Sequence, residues 1–332
     1  MIIDYEKLAN EPRLLMQVEL KPLQGHRFQP TGFADLGPAR YTAPDGTDML
    51  LVESTQSIAN RMELACWDEA KQDLIRDLRG LPFIRILDAN NRAVSNSLLE
   101  AHRINSEYIM DKNKDVKRVL EANAGKPTKF AKEKFRDEFA QEIEYEADGR
   151  VNWGKFRRAL LKYDPNCLIH GCFLEEIGGR LRVTRALSGF IEATGVCVAE
   201  SGGVKNNIVQ PDLKGGEGNV PYHRTEFTAA QIAAYFNIDL SLLRSYGFPD
   251  DAYKLLLALA LFKVRRFLAT GLRLRTACDL QAVGEPDATR PSNGFKLSSE
   301  TELLKECRKL IGKCKEARLF AEPSITEVRW KK

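Results

Sequence analysis

Two arginines on one strand are the clearest chemical signal in this sequence. Arg273 and Arg275 alternate with Leu272, Leu274 and Thr276, so both guanidinium groups project from one strand face. Six basic residues (Lys254, Lys263, Arg265, Arg266, Arg273 and Arg275) lie between Asp251 and Asp279 with no acidic residue among them. Unpaired and buried, such charges would be costly. Either an open sheet face bound to phosphates or a solvent-exposed edge strand accounts for them. Ser57, Asn60 and Arg61 fall at i, i+3 and i+4 and share a helix face, with Ile58, Met62 and Ala65 turned inward. Gln56 and Ser57 stand near that helix start, where free amide hydrogens receive a phosphate or a capping side chain. Further on, His102, Arg103 and Asn105 place polar groups beside apolar ones. Arg103 either faces a ligand or pairs with a carboxylate such as Glu100. Gly202 and Gly203 precede Lys205, Asn206 and Asn207. Glycine lets a backbone approach a ligand closely, and the lysine and asparagines supply donors. The same string also suits a hairpin turn.

Other chemistries find little support. The four histidines, His26, His102, His170 and His223, form no HExxH, and no cysteine lies at zinc-finger spacing from them. Cys167 and Cys172 flank His170 in an expected strand and turn, where burial or a local hydrogen bond explains them better than a metal. Lys214-Gly215-Gly216-Glu217-Gly218 lacks the Gly-Lys-Ser/Thr ending of a phosphate loop. There is no GxGxxG after a strand and no GxSxG. No metal and no cofactor is expected. Asp35 and Asp45 sit in an irregular segment, where an aspartate either assists RNA cleavage or caps a turn.

The elements that must hold these groups follow from the patterning. A strand is expected over 14–20, a helix over 55–78, a strand over 83–87 and a helix from a Ser97/Glu100 capping box to Met110. Residues 111–150 are densely charged and read as a mostly helical surface insertion, either a solvated face or a partner surface. Strands are expected over 168–174, 181–183 and 186–199, with Gly202-Gly203 turning the last back into 204–209. A Gly-rich loop covers 212–221. Thr228 and Gln231 form a second capping box opening a helix through Tyr235. A strong helix over 251–270 leads to a strand over 272–278, and a last helix covers 298–319. The order fits a ferredoxin-like or RRM-like β-α-β-β-α-β core with large insertions.

The 332 residues suffice for one large domain or two ordinary ones. With 43% hydrophobic and 29% charged residues the chain is not mostly disordered. A formal charge of +4 neither demands nor excludes nucleic acid, so the distribution of charge matters more than its sum. Seven cysteines, an odd number without CxxC, fit reduced thiols in a cytosolic protein. The first residues show no signal-peptide pattern, and the longest apolar run, Leu255 to Phe262, is far below a membrane span.

Together these strings resemble a known family. Phe28-Gln29-Pro30-Thr31-Gly32-Phe33, the run from Glu53 to Glu63, Ser97 to Arg103, Glu200 to Lys205, Tyr253-Lys254 and Leu272 to Thr276 resemble the RAMP-superfamily backbone subunit of the type I-U (type I-G) CRISPR Cascade. The resemblance spans about residues 14–280. It implies an α+β fold, a modified RRM or ferredoxin-like palm with a thumb hairpin and a helical finger-like region. The palm and thumb would take 1–110 and 151–280, the insertion 111–150 and a C-terminal helical extension 281–332. It implies a non-catalytic, cytoplasmic protein whose copies polymerise head to tail along one CRISPR RNA. The bound guide is presented to target DNA, beside other Cascade subunits and a separate helicase-nuclease that cuts. No membrane is involved. The RNA contacts expected are Gln56, Ser57, Asn60, Arg61, His102, Arg103, Gly202, Gly203, Lys205, Asn206, Arg273 and Arg275. Related subunits of type III systems cleave target RNA with a loop aspartate, which makes an endoribonuclease using Asp35 the alternative. A soluble metabolic enzyme with a dispersed site is a further alternative, weakened by the missing cofactor motifs.

Overall fold

The computed structural model describes residues 2–33, 35–110, 117–120, 129–130, 135–206 and 219–330. Strand β1, Arg13–Pro22, buries Leu14, Met16, Val18 and Leu20 on one face and leaves Arg13, Gln17, Glu19 and Lys21 exposed on the other. β2, Arg40–Thr42, and β3, Asp48–Glu53, form a hairpin that leads into helix α1, Thr55–Leu64. Ser54 caps α1 by accepting from the Ser57 amide, and Ile58, Ala59 and Met62 face the core. β4, Phe83–Leu87, and β5, Ala93–Asn96, follow. Helices α2, Phe135–Glu142, α3, Trp153–Tyr163, and α4, Asn166–His170, precede a long antiparallel hairpin. Its arms are β6, Leu187–Asn206, and β7, Asn219–Asp239. Helix α5, Asp250–Ala269, carries an apolar run buried from Leu255 to Phe262. β8, Leu272–Arg275, and β9, Cys278–Arg290, return to the sheet. Helix α6, Glu300–Glu316, opens with the capping box of Ser299 and Glu302, and β10, Ile325–Arg329, closes the described chain.

The main sheet has the order β8-β9-β1-β7-β6-β3-β2. Its middle four strands, β9-β1-β7-β6, are antiparallel neighbours throughout. α1 lies between β1 and β6 in sequence, and α5 between β7 and β9. That is the β-α-β-β-α-β path of a ferredoxin-like core, and the fold is α+β. Both helices cover one face. A Cβ on Gly189 would lie 3.2 Å from Ile58 of α1, and Phe267 of α5 meets Phe236 edge-on at 6.2 Å. The opposite face of the sheet carries no helix of this core. A second sheet gathers Lys129–Phe130, Lys117–Leu120, β10, β4 and β5, with β10 parallel to β4. The hairpin arms outrun the main sheet. Beyond Val196 and before Gln231 they pair with each other, apart from one bridge between Phe28 and Phe227.

Several expected elements differ. The helix expected to reach Leu78 stops at Leu64. There the chain turns through Asp68, whose carboxylate accepts from the Lys71 amide, and Gln72 takes a positive φ of 49°. Trp67 packs against Phe83 instead of continuing a helical stripe. No helix starts at Ser97. Its hydroxyl accepts from the Ile84 amide, Asn96 accepts from the Leu98 and Leu99 amides, and Glu100 accepts from Ser95 and Ser106. Capping residues that find tertiary partners make turns. The strand expected from Leu168 is the helix α4 as far as His170. Gly171, at φ 80°, then releases the chain into the strand Cys172–Leu174.

Gly202 and Gly203 do not turn the hairpin. They pair with His223 and Tyr222, and a Cβ on Gly202 would lie 2.4 Å from the Tyr222 carbonyl oxygen. Close strand approach, not a turn, is what requires glycine there. The segment expected to be a Gly-rich loop, with Asn207, lies outside the described residues as far as 218. Thr228 and Gln231 open no helix; they pair with Cys197 and Thr194 in the same ladder. The strand expected to reach Cys278 breaks at Ala277, which takes a positive φ of 61°.

Candidate nucleic-acid interface

The edge strand β8 and the outer face of α1 build one basic flank. Strand alternation buries Leu272 and Leu274 and turns Arg273 and Arg275 outward, but the two arginines meet different surroundings. The Arg273 side chain is 81% exposed and lies 3.9 Å from Asp279, a loose contact. Arg275 reaches across the strand ends. It donates to the Gln29 and Val52 carbonyls at 3.0 Å each and to the buried Glu53 carboxylate. Arg61 donates to the carbonyls of Arg273 and Leu274, which docks α1 on β8. Along α1, the Gln56 side chain donates to Asn60 at 3.0 Å and accepts from Arg185 at 2.7 Å. Arg185 also donates to the His170 carbonyl. Gln56, Asn60, Arg61 and Arg273 therefore sit in one connected line. Ser57 shares that helix turn, its amide already bonded to Ser54. A pocket of about 280 Å³ between α1, α5 and β8 is lined by Arg61, Trp67, Arg266 and Arg273. Beyond the β8–β9 turn, a second pocket of about 450 Å³ is lined by His26, Arg27, Glu226 and Asp279.

Arg103 lies elsewhere. It is 5% exposed and forms a bidentate pair with Glu63 on the inner side of α1, both hydrogen bonds measuring 2.7 Å. Glu100, the partner weighed from sequence, bonds serines instead. A guanidinium held this way has no open face for a phosphate, so the expectation of a direct contact from Arg103 is replaced by a packing role. Burial pushes the Glu63 carboxyl up, and the Arg103 and Lys263 cations oppose that push. His102 is exposed on the turn just before. Arg275 is likewise committed: Glu53 and two carbonyls take its donors, and it braces the flank rather than standing open on it.

Gly202 and Gly203 lie far out on the hairpin arm. Lys205 and Asn206 continue β6, and their side chains lie outside the described residues. On the same arms the 8%-exposed Glu226 side chain organises groups that sequence reasoning did not single out. It lies 3.1 Å from Arg27 and 3.4 Å from Arg224, and it accepts from Ser201 at 2.9 Å. Tyr222, 51% exposed, lies over Gly203, its phenol oxygen 3.1 Å from where a Cβ would stand. Arg224 and Glu226 stand two apart in sequence, a strand-face signal that becomes legible only once 228–231 are read as strand.

Comparison with known proteins adds the family. The model of the family described as CRISPR-associated protein GSU0053 matches residues 14–198, more than half of the chain. No curated relative matches. Among solved structures, a chain of a "CRISPR RNA-guided surveillance complex, pre-nicking" is 14% identical, with 92% of this chain and 89% of that one covered and a TM-score of 0.41. A chain of a "CRISPR RNA-guided surveillance complex" is 13% identical over 92% and 84%, with a TM-score of 0.38. Csc2 of Thermofilum pendens is 9% identical over 98% and 80%, with a TM-score of 0.31.

Proposed function

The chain belongs to the CRISPR-associated protein GSU0053 family, and from that premise we propose that it is a non-catalytic CRISPR RNA-binding backbone subunit of a type I-U (type I-G) Cascade. Copies polymerise head to tail along one guide and present its spacer to target DNA, in the cytoplasm, beside other Cascade subunits and a helicase-nuclease. The palm and thumb take 1–110 and 151–280, with β9 carrying the palm sheet on to Arg290; 111–150 is an insertion and the rest of 281–332 an extension, and these two share the second sheet with β4.

The observation that carries this reading is the pairing of an over-long hairpin with a basic flank at the edge of the same sheet. Binding that must accept any spacer relies on phosphates and 2′-hydroxyls and leaves base edges free. An exposed Arg273, the neutral donors of Gln56, Ser57 and Asn60, and Arg61 beside them supply that chemistry. Gly202 and Gly203 serve by letting the two arms close on each other beneath Tyr222, which holds Lys205 and Asn206 next along the arm toward the guide. His102 stands at the rim. Arg103 and Arg275 serve by holding α1 and β8 in place. Head-to-tail growth requires a heterologous interface, since a two-fold contact closes at a dimer.

The test is size-exclusion chromatography with absorbance at 260 and 280 nm, with and without a CRISPR RNA, followed by sequencing of RNA that co-purifies. A large species carrying repeat–spacer RNA is the expected outcome. A monomer that ignores RNA alone and with partner subunits overturns the proposal. RNA shortened by the purified complex, and spared by Asp35→Asn, would move the assignment to the ribonuclease reading.

A further inference from the structure

The face of the main sheet opposite α1 and α5 carries a chemistry that the RNA site does not use. Its residues follow from register. Gln17 of β1, Tyr235 of β7 and Phe190 of β6 stand in one cross-strand row, and the Phe190 and Tyr235 rings stack with centroids 5.0 Å apart. In the neighbouring row Glu19, Ala233 and Glu192 lie side by side. Glu192 accepts from the Tyr41 phenol, whose ring is 48% exposed, and Glu19 has no ion-pair partner among the described residues.

Open sheets with central aromatics are a familiar platform for single-stranded RNA, because bases stack on the rings while cations hold the phosphates. Here two carboxylates flank the rings. They repel a phosphate backbone, and they complement a cationic protein surface, for which stacked aromatics make good anchors.

The same chain displays such a surface. A groove of about 570 Å³ runs between α3 and the end of α6. Phe248 and Leu319 contribute apolar lining, and Arg158 and Arg318 line it as well. Both arginines are exposed, and neither has an ion pair among the described residues. Lys155 and Lys162 add cations beside Glu144 and Glu142, which pair with them.

We infer that the uncovered sheet face of one copy, centred on Phe190, Tyr235, Glu19 and Glu192, docks the Arg158–Arg318 groove of the next copy. This rests on the head-to-tail assembly proposed above and supplies its two unlike surfaces. Two patches of opposite charge on one chain make a heterologous contact that propagates instead of closing. RNA is left to the flank and the hairpin.

Two charge-reversed chains test it. One carries Glu19→Lys with Glu192→Lys, the other Arg158→Glu with Arg318→Glu. Each is titrated onto a short RNA that holds one copy and onto a long guide that holds several, with mass read by sedimentation. Each alone binds the short RNA as the unaltered chain does and loses at least about tenfold in affinity for the second copy on the long guide. Mixed in equal amounts they assemble, because every contact in an alternating row again joins opposite charges. Assembly of either variant alone at unaltered strength, or failure of the folded mixture to assemble, overturns the inference and leaves the RNA reading standing. Loss of short-RNA binding in Phe190→Ala with Tyr235→Ala would assign the face to RNA and also overturn it. Failure of the unaltered chain to bind either RNA removes the RNA reading itself, and the inference with it.

Discussion

The interior beneath α1 and the flank above it are built from the same residue types and handle charge in opposite ways. Underneath, Lys263 is fully buried, and its ammonium donates to Asn166 at 2.5 Å and to His170 Nε2 at 2.8 Å. Asp164 is buried beside them, and Arg103 is locked to Glu63. Every cation there has a named acceptor. On the flank, Arg273 keeps only a loose neighbour. Buried charge survives only when paired, whereas exposed charge costs little to leave open and stays available to a ligand. Exposure and partner supply, more than residue type, therefore separate a binding arginine from a packing arginine.

The largest expected effect breaks the interior half of that contrast. Arg103→Leu strands the Glu63 carboxylate in the core and should cost about 3–5 kcal/mol in urea unfolding. Adding Glu63→Leu should restore much of it, since an apolar pair of similar volume suits the site. Folded protein should bind RNA unchanged in the double variant. If it loses RNA affinity while keeping stability, Arg103 belongs to the interface after all. Next comes Gly202→Val on the hairpin. Its Cβ would press on the Tyr222 carbonyl, an overpacking cost of about 1–3 kcal/mol confined to the arms. Hydrogen exchange should quicken in β6 and β7 beyond the sheet and stay slow in β1. Uniform quickening would show that the arms and sheet open as one unit.

The contrast also explains what the sequence made legible. Strand β1 and the last helix announce themselves because their apolar residues recur at one period, as Leu14 to Leu20 do, and helix α5 because its apolar run from Leu255 to Phe262 is unbroken and the helix stops before Gly271. The two capping boxes that misled, Ser97/Glu100 and Thr228/Gln231, are local signatures. Ser97 serves instead as acceptor for the distant Ile84 amide, and the long β6–β7 ladder takes up Thr228 and Gln231. The basic flank was legible as composition, but the division of Arg273 from Arg275 was not. It depends on Glu53, more than 200 residues away in sequence and brought close by the sheet order. Glu226 and its two arginines were hidden for the same reason.

A smaller effect comes from His170, which shares Lys263 with Asn166. Burial, with the nearby Lys263, Arg103 and Arg185 cations, holds the imidazole well below its ordinary pKa of 6.5. The unfolded chain takes up a proton below that value and the folded chain does not. The stability that His170 contributes is therefore complete above about pH 6.5 and declines below it, by at most about 1.4 kcal/mol per pH unit. His170→Gln should remove that part of the slope between pH 6.5 and 5. An unchanged slope would mean that the folded protein protonates His170 readily and that Lys263 has another acceptor.

The smallest effect tests the exposed half. Arg273→Ala should shift stability by no more than about 0.5 kcal/mol, since a pair at 3.9 Å on an exposed strand contributes little. RNA binding should weaken, and the slope of log affinity against log salt should fall by about 0.7, the value for one phosphate contact on a single strand. Arg275→Ala should do the reverse, lowering stability by stranding Glu53 while the salt slope changes only through the loosened β8. If both variants lower the salt slope equally at equal stability, Arg275 releases Glu53 when RNA arrives. The difference between the two arginines would then describe the free protein alone.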